Sequence, residues 1–181
     1  MRESDARREL KAFADHYDYN VSYMANMLDI SPEAYFKFAA ITDLAQHREA
    51  APVDATFAAK LTGAIAEDCG PCVQLVVRMS QEAGMGDRQI EAVLTRDPGG
   101  MESETLLGFR FADSLVRRKP DLDGIRDEVE LRWGEAAVID LTFAVQIGRV
   151  FPMVKAGLGF AKTCERVQIG NHVVDVHKEA A

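Results

Sequence analysis

Signals that start and stop helices recur at short intervals along this chain, while period-two runs of β-branched residues are nearly absent. Ser31-Pro32-Glu33 places a capping hydroxyl ahead of a proline at the first helical position and an acid in the first turn. Ala50-Ala51-Pro52, Gly84, Asp97-Pro98-Gly99-Gly100, Lys119-Pro120 and Gly134 read as breaks. The punctuation predicts nine helices. The first opens at Ser4 or Asp5 and ends near Tyr17, and the second covers residues 21–28. The third starts at Ser31 and carries Tyr35, Phe36, Phe38, Ala39 and Leu44. The fourth covers 54–66, and the fifth covers 69–83 with Asp68 as its cap. The sixth covers 87–95, the seventh starts at Ser103 or Glu104, the eighth covers 123–134, and the ninth runs from Glu135 to Phe151 or beyond. Only residues 168–176 read as extended. The expected fold class is all-α.

With 181 residues the chain is long enough for one sizeable core and short for two. A single domain is expected, with residues 1–52 as an N-terminal helical extension and 53–160 as the core. The formal net charge is −8, and no basic stripe is present, which argues against nucleic acid and anionic lipid as partners. The opening segment MRESDARREL lacks the apolar region of a signal peptide. The most apolar stretch, residues 136–160, is interrupted by Asp140, Arg149 and Lys155, so no membrane span is expected and a cytoplasmic location is. The ninth helix is apolar nearly all round, which asks for central burial, a subunit interface, or both.

Glu67-Asp68-Cys69-Gly70-Pro71-Cys72 is the one stretch with evident chemistry. Residues three apart share a helix face, about 5–6 Å between Cβ atoms, close enough for a disulfide to form and reopen with little backbone motion. Proline is tolerated in the first turn, and the free N–H groups there favour a thiolate. An ordinary thiol is about 3% ionised at pH 7, whereas one with its pKa lowered to about 7 is half ionised. Glu67 and Asp68 oppose that gain. Three readings are open: a redox-active dithiol, half of a zinc site completed by Cys164 with His172 or His177, and two small buried apolar residues at a helix start. Gly-Pro between the cysteines is also found in thioredoxin, but helices on both sides here do not fit its βαβ setting.

The stretch from about Asp54 to Gly159 resembles the alkylhydroperoxidase D-like / carboxymuconolactone decarboxylase superfamily. The resemblance is carried by FAAKLTGAIAEDCGPCVQLVVRMSQEAGM, DRQIEAVL, ETLLGFRFADSL and LRWGEAAVIDLTFAVQIGRVFPMVKAGLG. It implies the helical fold of that family, homo-oligomeric assembly, and a hydroperoxide substrate with a dithiol reductant. It further implies Cys72 as the attacking sulfur and Cys69 as the resolving one, with no bound cofactor or metal. The sequence departs from the family in the proton relay. Val76 stands where the family has a histidine, and Phe57 where it has a glutamate. A positioned acid–base group is typically worth about 10²–10⁴ in rate.

Lys60 and Glu67 join the two cysteines as candidate catalytic residues: Lys60 to lower a thiol pKa by its charge, Glu67 as a neighbouring carboxylate. Asp54 and His47 are weaker substitutes for the relay. Gln74 and Arg78 fit surface or site equally, and Trp133 fits core or interface. The leading expectation is a thiol-dependent peroxidase. The alternatives are a non-catalytic oligomer of the same fold that binds a small apolar ligand or a protein partner, and a decarboxylase-like lyase.

Overall fold

The computed structural model describes residues 2–161 and 166–177. It is mostly helical, with one two-stranded sheet. Ten helices precede the hairpin among the described residues: α1 (Glu3–Tyr17), α2 (Ser22–Ile30), α3 (Pro32–Ala39), α4 (Ile41–Gln46), α5 (Val53–Ala66), α6 (Gly70–Glu82), α7 (Asp87–Leu94), α8 (Ser103–Arg117), α9 (Leu122–Trp133) and α10 (Glu135–Gly157). Strands β1 (Arg166–Ile169) and β2 (His172–Asp175) follow as an antiparallel pair.

Most helix boundaries fall where the punctuation puts them. Ser31 caps α3 by accepting from the Ala34 N–H, with Pro32 in the first turn. Two differ. The single helix expected after Ser31 is divided at Ala40, where the Thr42 hydroxyl donates to the Ala39 carbonyl and competes with the helical ladder. Asp68 does not cap α6. It takes a left-handed conformation at φ 50°, and Cys69 occupies the N-cap position, its carbonyl accepting the Cys72 and Val73 N–H groups. The extended tail is a hairpin turning at Gly170-Asn171, with Val167, Ile169 and Val174 buried against the helices. Gln74 on α6 fixes it, donating to the Gln168 carbonyl and accepting from the Gln168 N–H.

The centre of the fold is α5, which packs most extensively on α10 and α8. Its sequence TFAAKLTGAIA supplies small side chains, so neighbouring backbones come close. A Cβ on Gly108 of α8 would collide with the Ala55 backbone, and one on Gly63 with the Val145 carbonyl of α10. Dense packing of this kind leaves no room for even one added methyl group. α10 is long and apolar enough to cross a membrane by length and composition. Here it crosses α5, with Asp140 and Lys155 buried, while Ile139 and Met153 on it are about half exposed. Its surface is therefore not wholly covered within one chain.

The N-terminal helices α1 to α4 build a further apolar cluster. Tyr19, Tyr23, Leu28, Tyr35 and Phe38 pack with Leu75 of α6 and Phe151 of α10. The Phe38 and Phe151 rings meet edge to face with centroids 5.2 Å apart.

Candidate functional site

Cys69 and Cys72 are joined as a disulfide across the start of α6, their Cα atoms 5.2 Å apart. Cys69 is fully buried. Cys72, 4% exposed, lies in the wall of a cavity of about 980 Å³ between the N-terminal helices and the core. Cys69 is not among the residues lining that cavity. The lining is mainly apolar and aromatic: Tyr23, Tyr35 and Phe36 from the N-terminal helices, Phe57 from α5, Leu75 and Val76 from α6, Ile147 and Phe151 from α10. Val76 and Phe57 thus line the same cavity as Cys72 and contribute hydrocarbon to it.

A polar group reaches the sulfur from a distant part of the chain. The Tyr19 hydroxyl, in the connection between α1 and α2, stands 3.7 Å from Cys72 Sγ. In the disulfide the sulfur carries no proton, so the hydroxyl is the donor. Arg78, two turns along α6, positions this connection. Its guanidinium donates to the carbonyls of Tyr17 and Asp18 and pairs with the Asp18 carboxylate at 3.2 Å. Behind Tyr19, the buried Lys155 ammonium donates to the Tyr19 oxygen at 3.3 Å and stands 4.5 Å from its ring centroid. Burial raises the Tyr19 pKa, and a hydrogen bond with Tyr23 opposes that rise.

Lys60 lines the cavity from α5. Its Nζ donates to the Ala45 carbonyl at 3.1 Å and sits 5.0 Å from the Phe57 ring centroid. Burial lowers its pKa to about 8, which reduces the charge it can offer a thiol. Glu67 is placed elsewhere. It ends α5 in an ion pair with Arg149 at 2.6 Å and is not among the cavity-lining residues. Asp54 opens α5 and is likewise absent from the lining. Its pKa is raised, by burial first and then by Glu104 and Glu102.

His47 contributes to the cavity wall next to a buried carboxylate. Asp140 Oδ2 accepts the N–H groups of Glu49, Ala50 and Ala51 at 3.0, 2.7 and 2.8 Å. Its other oxygen lies 3.2 Å from His47 Nε2 without hydrogen-bond geometry. Burial alone would raise the Asp140 pKa, but the three N–H donors and His47 outweigh it and hold the carboxyl below the usual carboxylate range.

The zinc reading rests partly on Cys164, which lies outside the described residues. Among the described residues no group of three or more His, Cys, Asp or Glu side chains is arranged to hold a metal ion. His172 is paired with Glu91 at 3.4 Å, and His177 lines a separate cavity of about 160 Å³.

No family model matches this chain, and neither a curated protein nor a solved structure matches it.

The contributions of Tyr19 and Lys155 to the site are not legible as a motif. The one available signal is a charge inside an apolar helix. Asp140 and Lys155 interrupt α10, and both are buried with polar partners.

Proposed function

We propose that this protein is a thiol–disulfide oxidoreductase of peroxidase type, related to the alkylhydroperoxidase D-like proteins its sequence resembles. The observation that carries the reading is the asymmetry of the cysteine pair: Cys72 lies in the cavity wall and Cys69 is buried behind it. A hydroperoxide entering the cavity meets the Cys72 sulfur first. That sulfur attacks the terminal peroxide oxygen, the O–O bond breaks, and Cys72 becomes a sulfenic acid. The thiol proton ends on the departing alkoxide, giving an alcohol, with the Tyr19 hydroxyl as its carrier. The Cys69 thiol then attacks the Cys72 sulfur, releasing water and forming the disulfide. The two electrons come from the dithiol, and an external dithiol reductant returns them.

Tyr19 occupies the functional position left open by Val76 and Phe57, and Lys155 and Arg78 hold it there. The test is consumption of cumene hydroperoxide with dithiothreitol as reductant. Wild-type protein should turn over, and Cys72→Ser should not. Undiminished turnover by Cys72→Ser overturns the reading.

A second reading is favoured by the hydrocarbon that Val76 and Phe57 contribute to the cavity that Cys72 lines. In it the scaffold binds an apolar ligand without turning it over. Iodoacetamide alkylation of the reduced protein across pH separates the two, because a binding protein retains thiols that react only near pH 8.5 and above.

Self-association belongs to the same proposal. Leu131 on α9 and Ile139 and Met153 on α10 are 91%, 50% and 53% exposed, and a second copy would cover exposed apolar side chains of this kind. Sedimentation equilibrium tests it, and a monomer at micromolar concentration would refute it.

A further inference from the structure

The cavity beside Cys72 has one feature that the proposed dithiol chemistry does not use. Six lining residues carry ionisable acidic or basic side chains besides the cysteine and the tyrosines: Glu9, Asp43, His47, Arg48, Lys60 and Glu82. Five of them are exposed at the rim, and Lys60 alone is buried, at 8% exposure. An ammonium has three N–H donors. Those of Lys60 find one acceptor, the Ala45 carbonyl, and the Phe57 ring centroid lies 5.0 Å from the nitrogen. A buried cation so thinly partnered is costly unless an anion joins it. Its pKa, lowered to about 8 by burial, reflects that incomplete environment.

The remaining surface of the cavity calls for hydrocarbon. Phe57, Tyr35, Phe36, Leu75 and Phe151 line a space of about 980 Å³, at the upper end of the range for small-molecule sites. One buried positive group in a mainly apolar chamber matches a ligand with one negative end and a long apolar body. A carboxylate fits better than a phosphate. It carries a single charge and two acceptor oxygens, against a single cation with two donors to spare, whereas a dianion would remain half unpaired.

We propose that the cavity binds a fatty-acid-type amphiphile, its carboxylate held by Lys60 and its chain lying among the aromatic side chains. Resting on the dithiol reading above, this names the substrate class of that site: a hydroperoxide of a long-chain carboxylic acid rather than hydrogen peroxide or a small neutral hydroperoxide.

The test is calorimetric titration of the full-length oxidised protein with decanoate and with 1-decanol at pH 7. The two probes share a chain and differ in the head. Decanoate should bind at least about tenfold more tightly than decanol, and Lys60→Met should erase that preference while leaving decanol affinity unchanged. Retained decanol binding shows that the variant keeps its cavity. Equal affinities for the two probes in wild-type protein overturn the proposal without recourse to any variant, as does an undiminished decanoate preference in Lys60→Met. Because the disulfide form is titrated, binding is measured apart from turnover. Lys60-dependent decanoate binding without cumene hydroperoxide reduction would refute the peroxidase reading and leave the ligand site standing. Hydroperoxide turnover without a decanoate preference would do the reverse.

Discussion

The two sides of α5 meet very different surroundings. Toward α8, Ala55 and Ala59 lie against a helix so close that a Cβ on Gly108 would overlap the Ala55 backbone. Toward the N-terminal helices, Thr56, Phe57 and Lys60 look into about 980 Å³ of space. One side is a dry seam with no tolerance for added atoms, and the other is a chamber with a reactive sulfur in its wall. A rigid seam keeps the chamber wall fixed without help from a ligand. Preorganisation of this kind is what a site needs if binding is not to be spent on ordering the protein.

The strongest way to break this contrast is through Asp140. One oxygen of its carboxylate accepts three backbone N–H groups and thereby ties the loop ahead of α5 to α10. Asp140→Ala removes the acceptor for all three and should cost about 3 kcal/mol, read as a lowered denaturant midpoint in urea. Because the folded-state pKa of Asp140 is depressed, its contribution is present above the unfolded-state value and is lost as pH falls through the folded one. Wild-type and Asp140→Asn stabilities should therefore converge in acid. A constant difference down to pH 2 would show that the carboxylate's charge is not what holds the loop.

Next in size is Tyr19→Phe, which alters the chamber side alone. It removes the only hydroxyl placed beside Cys72 Sγ among the described residues and keeps the ring that packs against Phe13. Hydroperoxide turnover should fall by roughly 10², and loss of the acceptor for the buried Lys155 ammonium should lower stability by about 1–3 kcal/mol as well. Undiminished turnover by folded Tyr19→Phe protein would show that the carrier role is wrong.

Third comes one methyl group on each side. Gly108→Ala drives a Cβ into the Ala55 backbone and should cost about 2 kcal/mol. Val76→Ile adds the same methyl at the chamber wall, where there is space to receive it, and should cost well under 1 kcal/mol. Equal costs would mean that the two sides do not differ in packing.

Much of this architecture is legible in the sequence because helix ends are local. Ser31-Pro32, Lys119-Pro120 and Gly134 mark boundaries with residues that act within one turn. The division at Ala40 was not legible, because Ala40 itself has helical angles and the competing bond comes from Thr42. The cysteine pair was legible from its spacing alone. The groups around it were not, since 53 residues separate Tyr19 from Cys72 and 136 separate Lys155 from Tyr19. Arg78 reads as neutral between surface and site because two of its acceptors are main-chain carbonyls, which no side-chain pattern records, and the third, the Asp18 carboxylate, is 60 residues away. Adjacency in sequence groups Glu67 with the cysteines, but the backbone turns at Asp68 and the Glu67 carboxylate meets Arg149 instead.

The smallest expected effect concerns Lys60 as a titrating group. Its pKa is near 8 when folded and near 10.5 when unfolded. Between those values the unfolded chain binds more protons than the folded one, so stability rises with pH there. From pH 7 to pH 9 the rise attributable to Lys60 is about 1 kcal/mol. Lys60→Met, which fills the same space without a charge, should abolish that rise and be the more stable protein at pH 7. The raised tyrosine pKa values act in the opposite sense but only above about pH 10, so the window below pH 9 isolates the lysine. Urea midpoints at pH 7, 8 and 9 measure it. A wild-type slope that matches the variant's would show that the ammonium is fully solvated in the chamber, and the contrast between the two sides of α5 would then be one of shape without any difference in polarity.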